Sequence, residues 1–269
     1  MSIIQSIILG LIEGITEFLP ISSTAHLIIA ANWLKIPETA TLKSFLIAIQ
    51  LGAILSVAVL YAKKLINEPK LILKIGAAFI PTALIGFAAY KLVKNYLMES
   101  LPLIATTLII GGIILIILER YFAKKTNNPS TSTKDSVIIP ESALTQLSYK
   151  NAALIGVFQT LAIVPGVSRS AATIMGGLSL GISRKNIVEF SFLLALPTMA
   201  AATILDLYKE PPILNGQELT VWIIGLVTAF ITAILGIKFF LRFIQKNDFQ
   251  IFGWYRIVAG LIILAILFL

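Results

Sequence analysis

EGITEFLPISSTAH, from Glu13 to His26, and PGVSRSAAT, from Pro165 to Thr173, place polar groups inside sequence that is otherwise apolar. Each contains a proline followed within three residues by a serine. A charged side chain at bilayer depth costs about 2.5–3.5 kcal/mol on insertion scales, so Glu13, Glu17 and Arg169 together cost about 8–10 kcal/mol. That is comparable to the whole stability of a typical domain, so the three charges must do something that justifies keeping them. Around them the chain of 269 residues is 58% hydrophobic and 13% charged, with a mean hydropathy of +0.95. The charged share is about half that of a soluble domain, which makes this an integral membrane protein.

A membrane-spanning helix needs about 20 apolar residues, and apolar runs at roughly 44–61, 75–90, 103–118, 188–206, 221–241 and 255–269 supply six. None alternates with the period of two that a membrane barrel requires. The first lysine is Lys35, so no basic segment precedes the first apolar run and a cleaved signal peptide is not expected. The absence of cysteine excludes disulfides and thiol chemistry, and a single histidine excludes a multi-histidine zinc site within one chain. The net charge of +8 sits mostly in loops flanking apolar helices. Positive-inside orientation explains it better than nucleic-acid binding.

Residues 119–150, rich in Ser, Thr, Asn and Lys, form a polar linker between two halves, 1–118 and 151–269, which resemble each other. Gly10, Glu13, Ser22 and Thr24 fall on Gly156, Gln159, Ser168 and Ser170 at an offset of 146. FLIA at Phe45 falls on FLLA at Phe192, and PTALIG at Pro81 on ITAILG at Ile231. The loop 62–74 carries Lys63, Lys64, Lys70 and Lys74 against Glu68, whereas its counterpart 206–220 carries Asp206, Glu210 and Glu218 against Lys209. Opposite charge bias in equivalent loops is the mark of an inverted-topology repeat. The expected architecture is therefore all-α: about six transmembrane helices, three per half, plus two re-entrant helix hairpins entering from opposite faces. The linker 119–150 and the loop 62–74 are read as cytoplasmic. A plain bundle of eight or ten spans stays open at this point, because residues 2–19 alone are long enough to cross.

Glu13 and Glu17 are four apart, which puts both carboxylates on one helix face. A lone carboxylate near a helix start often only complements the dipole, but two on one turn within apolar sequence point to function. Pro20 ends that helix. Ser22, Ser23 and Thr24 then stand where an N-cap and first turn begin, with His26 on the same turn. An isolated histidine is commonly a core or surface residue, yet this one is flanked by hydroxyls and follows the carboxylate pair. In the second stretch Pro165 and Gly166 break a helix, Ser168 can cap the next, and Arg169, Ser170 and Thr173 line its first turns. A helix N-terminus inside the membrane is an anion site, and Arg169 adds a fork suited to phosphate oxygens. A snorkelling arginine is the bland alternative, but the flanking loops lie about 15 residues away in sequence. Two carboxylates beside a phosphate repel it unless a cation intervenes. A divalent ion held by Glu13 and Glu17 would balance the charge and suits hydrolysis of a phosphate ester or anhydride.

EGITE followed by FLPISSTAH, and the later PGVSRSAAT, closely resemble the two motifs of the bacterial undecaprenyl-pyrophosphate phosphatases of the bacitracin-resistance type. The resemblance extends to EFSFLLALP from Glu189 and TILDLYK from Thr203, and covers essentially the whole chain. Ala25 and Ala171 stand where that family usually has glycine, a departure that removes no polar group. The resemblance implies release of inorganic phosphate and undecaprenyl phosphate from the lipid carrier of cell-wall synthesis. It also implies Mg²⁺ or Ca²⁺, an inner-membrane location, and a site open to the outer face. By matching motif, Glu13 and Glu17 would bind metal or shuttle protons, and Arg169 would clamp the pyrophosphate. Ser23 or His26 would be nucleophile or activating group, an alternative the residues leave open. Ser22, Thr24, Ser168, Ser170 and Thr173 would bind substrate oxygens, with Gln159 completing the polar centre. The implied partners are a polyprenyl diphosphate lipid and the bilayer, with a homodimer left open and nucleic acid excluded. The competing class is a transporter or flippase of a polyprenyl phosphate lipid, since inverted repeats and broken helices also serve alternating access.

Overall fold

The computed structural model describes residues 1–97, 100–126, 143–212 and 214–268. Among them are ten α-helices: α1 (Ile3–Thr16), α2 (Ser23–Trp33), α3 (Ala40–Asn67), α4 (Pro69–Leu92), α5 (Leu101–Thr126), α6 (Tyr149–Gln159), α7 (Arg169–Ser179), α8 (Arg184–Lys209), α9 (Gly216–Phe243) and α10 (Gln250–Phe268). Six of these, α3, α4, α5, α8, α9 and α10, are long and apolar enough to cross a membrane, and each contains the described part of one of the expected runs. The other four, of 14, 11, 11 and 11 residues, reach only about 17–21 Å at 1.5 Å per residue. That is short of the roughly 30 Å hydrocarbon core. The order of helix lengths is the same in both halves: two short helices, then three long ones. Of the expected linker, 127–142 lies outside the described residues, while 119–126 continues α5 and Ala143–Gln146 forms a 3-10 turn.

The long helices leave large apolar side chains exposed, among them Ile72, Leu84, Ile117, Ile231 and Leu235, as helices whose solvent is lipid must. Inside, α1 packs on α9 and α6 on α4, while α3 packs on α8 and α5 on α10. Two glycines at corresponding positions of the halves permit close approaches. A Cβ on Gly10 would sit 2.7 Å from the Gly225 carbonyl, and one on Gly156 would overlap the Ala78 carbonyl. Hydroxyls close both contacts: Thr232 donates to the Gly10 carbonyl at 3.3 Å and Thr82 to the Gly156 carbonyl at 3.1 Å. An aromatic chain forms the centre, with Phe18 edge-on to Phe192 at 5.1 Å and Phe192 near Phe240 at 6.1 Å. Arg184 at the start of α8 grips the fully buried Glu119 of α5 at 3.1 and 2.6 Å, and Lys64 of α3 meets Glu189 of α8 at 2.7 Å.

Candidate active site

Each short helix pair is interrupted by a break built in the same way. α1 ends at Thr16, the chain turns through Pro20, and Ser22 caps α2 by accepting from the Ala25 N–H at 3.5 Å. α6 ends at Gln159, a 3-10 turn follows over Thr160–Ile163, and Ser168 caps α7 by accepting from the Ala171 N–H at 3.2 Å. The two capping serines stand at φ 71° and 74°, in a region that costs a side-chain-bearing residue about 1–3 kcal/mol and persists where surrounding structure enforces it. Thr107 donates to the Pro165 carbonyl at 2.7 Å, and its hydroxyl occupies the space a Cβ on Gly166 would need. Gly166 itself has φ 89°, so both conformation and space call for glycine there.

The breaks bring Glu17, Ser23 and Arg169 into direct contact. Ser23 Oγ donates to Glu17 Oε2 at 2.6 Å, and Arg169 Nη2 donates to Glu17 Oε1 at 2.9 Å. Arg169 Nη1 is held by the Ser191 carbonyl at 2.6 Å and the Ser191 hydroxyl at 3.2 Å, which leaves Nε buried without a partner. Glu13, one turn before Glu17, is fully buried and neither of its carboxylate oxygens has a hydrogen-bond partner. Gln159 donates to Thr82 Oγ1 at 2.9 Å and Thr198 Oγ1 at 3.1 Å, while its own Oε1 is unpaired.

Other expected site residues are engaged elsewhere. Ser170 donates to the Phe18 carbonyl at 2.9 Å, tying the second break to the first. Thr173 Oγ1 lies 2.6 Å from Ser191 Oγ. His26 has both ring nitrogens occupied: Nδ1 meets the Ser22 carbonyl and Nε2 the Tyr255 hydroxyl, each at 2.7 Å. A carbonyl cannot donate, so Nδ1 carries the proton; Nε2 accepts from the Tyr255 hydroxyl when the ring is neutral and donates to it when the ring is charged. The two rings stack with centroids 5.6 Å apart.

A cavity of about 440 Å³ opens above Glu17, Ser23 and Arg169, within the range of ligand sites. Ser22, Thr24, Ser168 and Gln159 also line it, whereas Glu13, His26, Ser170 and Thr173 do not. Its upper wall is largely apolar and comes mostly from α4 and α8, ending near Val93, just past the end of α4, and Leu205, one turn before the end of α8. The cavity thus has a polar floor and a greasy shaft.

Sequence reasoning missed several residues that hold this floor: Ser191, Thr82 and Thr198, each a hydroxyl within a long apolar helix, and the pair Tyr255–Arg256 in α10. Arg256 is fully buried and donates only to main-chain carbonyls, including Pro20 at 3.2 Å and Val167 at 2.9 Å. Its signal was present, because an arginine inside an apolar run is what had singled out Arg169.

Comparison with known proteins bears on this arrangement. The family model described as "Bacitracin resistance protein BacA" matches residues 6–262. The chain is 47% identical over 258 residues to a protein named undecaprenyl-diphosphatase from Aquifex aeolicus, covering 96% of each. It is 46% identical over 268 residues to the protein of that name from Bdellovibrio bacteriovorus, covering 100% of this chain and 97% of the relative. A third such relative, from a Sulfurihydrogenibium species, is 44% identical over 262 residues, covering 97% and 98%. The matched span contains both helix breaks and every residue on the cavity floor, and on that match the chain belongs to the bacitracin resistance protein BacA family.

Proposed function

We propose that the protein hydrolyses undecaprenyl diphosphate to undecaprenyl phosphate and inorganic phosphate at the floor between the two helix breaks, and that recycling this carrier for wall synthesis underlies bacitracin resistance. The observation that carries the mechanism is the 2.6 Å contact from Ser23 Oγ to Glu17, with Glu17 held in turn by Arg169. A hydroxyl bonded to an oriented carboxylate is an activated nucleophile. The N-termini of α2 and α7 offer the positive ends of their dipoles to the phosphates. Arg169 Nε, which has no protein partner, supplies a charged donor beside them.

In this reading Ser23 Oγ attacks the terminal phosphorus as its proton passes to Glu17. The Ser23 O–P bond forms, the bridging P–O bond breaks, and prenyl phosphate leaves. Glu17 passes the serine proton to the departing prenyl phosphate oxygen and is a carboxylate again. Water then attacks the phosphoserine as Glu17 takes its proton, the Ser23 O–P bond breaks, Glu17 returns the proton to Ser23 Oγ, and inorganic phosphate leaves. His26, with both nitrogens engaged, sets the Ser22–Ser23 turn rather than taking the serine proton.

A divalent cation would sit at the edge of this floor, shared between Glu17, which lines the cavity, and Glu13, which is buried one turn before it and outside the lining. Glu13 is a buried carboxylate with two unpartnered oxygens, a costly state that a hard cation relieves. Among the described residues no cluster of three or more acidic, histidine or cysteine ligands exists, so Glu13 and Glu17 would supply the protein part of the shell. Mg²⁺ or Ca²⁺ bound there would neutralise phosphate charge and act as a Lewis acid.

The chain is read as an inverted repeat with two re-entrant hairpins. Support comes from equivalent positions making equivalent contacts: Gly10 on α9 and Gly156 on α4, Thr232 and Thr82 bonding those glycines' carbonyls, and Ser22 and Ser168 at matching φ. With basic loops inside, the shaft near Val93 and Leu205 opens to the outer face. A transporter of the lipid product would use the same architecture, but the Ser23–Glu17 contact favours hydrolysis. Purified protein in detergent, where no transport is scored, should release phosphate from farnesyl diphosphate. Glu17→Gln and Ser23→Ala should abolish release, whereas Tyr255→Phe should reduce it by no more than about tenfold, the worth of one hydrogen bond. The reverse ranking would make His26 the base.

A further inference from the structure

Arg256 lies in the middle of the apolar helix α10, and its guanidinium is spread over three segments. Nη1 donates to the Pro20 carbonyl of the first break at 3.2 Å and to Val167 of the second at 2.9 Å. Nη2 donates to Gly166 at 3.0 Å and Thr107 at 3.3 Å, and Nε to Leu108 at 3.4 Å. All five partners are carbonyls, and among the described residues no carboxylate is in direct contact with the charge. Gly111 of α5 makes the room: a Cβ there would overlap Nη2 and approach Cζ to 3.0 Å. A buried guanidinium without a counter-anion is among the costliest placements in a membrane protein. Mere packing of α10 against α5 does not require it, since apolar side chains would do that at less cost. The breaks it spans are those that carry Ser22–Ser23 and Ser168–Arg169.

We propose that Arg256 is a positioning residue for the diphosphatase reaction: one planar group bonded to both breaks fixes the distance between Ser23 and Arg169 and sets positive charge behind the phosphate site. The inference rests on the assignment of the site to the two breaks. An ammonium, a single point with three donors, cannot span both breaks as the fork does.

The test uses the full chain, purified in detergent, with farnesyl diphosphate as substrate and methylenediphosphonate as a non-hydrolysable competitor. An inhibition constant does not depend on how much of the preparation is folded, so it separates positioning from stability. Arg256→Lys should raise both the KM for farnesyl diphosphate and the Ki for methylenediphosphonate by roughly tenfold or more, the scale of a misplaced binding group. Gly111→Ala keeps the charge but displaces the guanidinium, and alanine favours the α5 helix. It should move both constants in the same direction. Wild-type constants with only a reduced maximal rate, in either folded variant, would overturn the proposal. If Arg256→Lys does not fold, Gly111→Ala decides. Arg169→Lys, run alongside, separates the two claims: if it raises Ki and the Arg256 and Gly111 variants do not, only the role of Arg256 fails. If Arg169→Lys also leaves Ki unchanged, the site assignment fails with it.

Discussion

Glu13 and Glu17 lie on one face of α1 yet have different surroundings. Glu17 spends one oxygen on Ser23 and the other on Arg169, while Glu13 has no hydrogen-bond partner at either oxygen. A buried, unsatisfied carboxylate costs far more than it returns unless a proton or cation joins it, and this difference makes the metal reading testable. Glu13→Gln should raise the concentration of Mg²⁺ or Ca²⁺ needed for half-maximal activity. Glu17→Gln should raise it too and also remove the base. The double variant should cost much less than the product of the singles, as members of one unit do. A metal titration of the four forms with a soluble prenyl diphosphate checks this. An unchanged metal requirement in Glu13→Gln would mean that its carboxylate is not a ligand. The polar residues of the two motifs were legible in the sequence because charge and hydroxyl clusters are conspicuous among apolar residues. Their directions were not. Spacing puts Ser170 and Thr173 on the first turns of α7, but only the packing of α8 and the first break turns them toward Ser191 and Phe18.

At the level of elements, the long helices were readable from apolar runs, but their ends were not. The run expected at 44–61 is a helix over Ala40–Asn67, because Lys63 and Lys64 continue it and Lys64 finds Glu189. α5 likewise runs on to Thr126 past Glu119, whose charge reads as the start of a linker but is buried against Arg184. Polarity marks where a helix leaves the hydrocarbon, and the hydrogen-bonded helix itself can go on. The short helices depend on close approach. Gly156→Ala pushes a methyl into the Ala78 carbonyl on α4, and such overpacking should destabilise by about 1–3 kcal/mol. Gly76→Ala, where a Cβ would meet nothing within 4 Å, should be neutral or stabilising by about 0.5–1 kcal/mol. Thermal unfolding midpoints in detergent compare the two. A Gly156→Ala midpoint equal to the wild type would remove the close contact from the account.

Over the whole molecule, the proposal that loop charge orients the halves oppositely can be checked directly, because the chain is free of cysteine. Lys70→Cys and Gln217→Cys, both exposed and on the first turns of α4 and α9, should react with an impermeant thiol reagent from opposite faces of sealed vesicles. Labelling of both from one face contradicts the inverted arrangement. On the proposed inverted arrangement, Ser23 and Glu17 of one half meet Arg169 of the other in one shared site. The most direct test of that shared site is phosphate release from farnesyl diphosphate by Ser23→Ala, Arg169→Lys and the double variant. If the halves form one site, each single variant should lose at least about a hundredfold and the double should fall little below the worse single. Wild-type turnover in Arg169→Lys, or losses that multiply in the double variant, would contradict it.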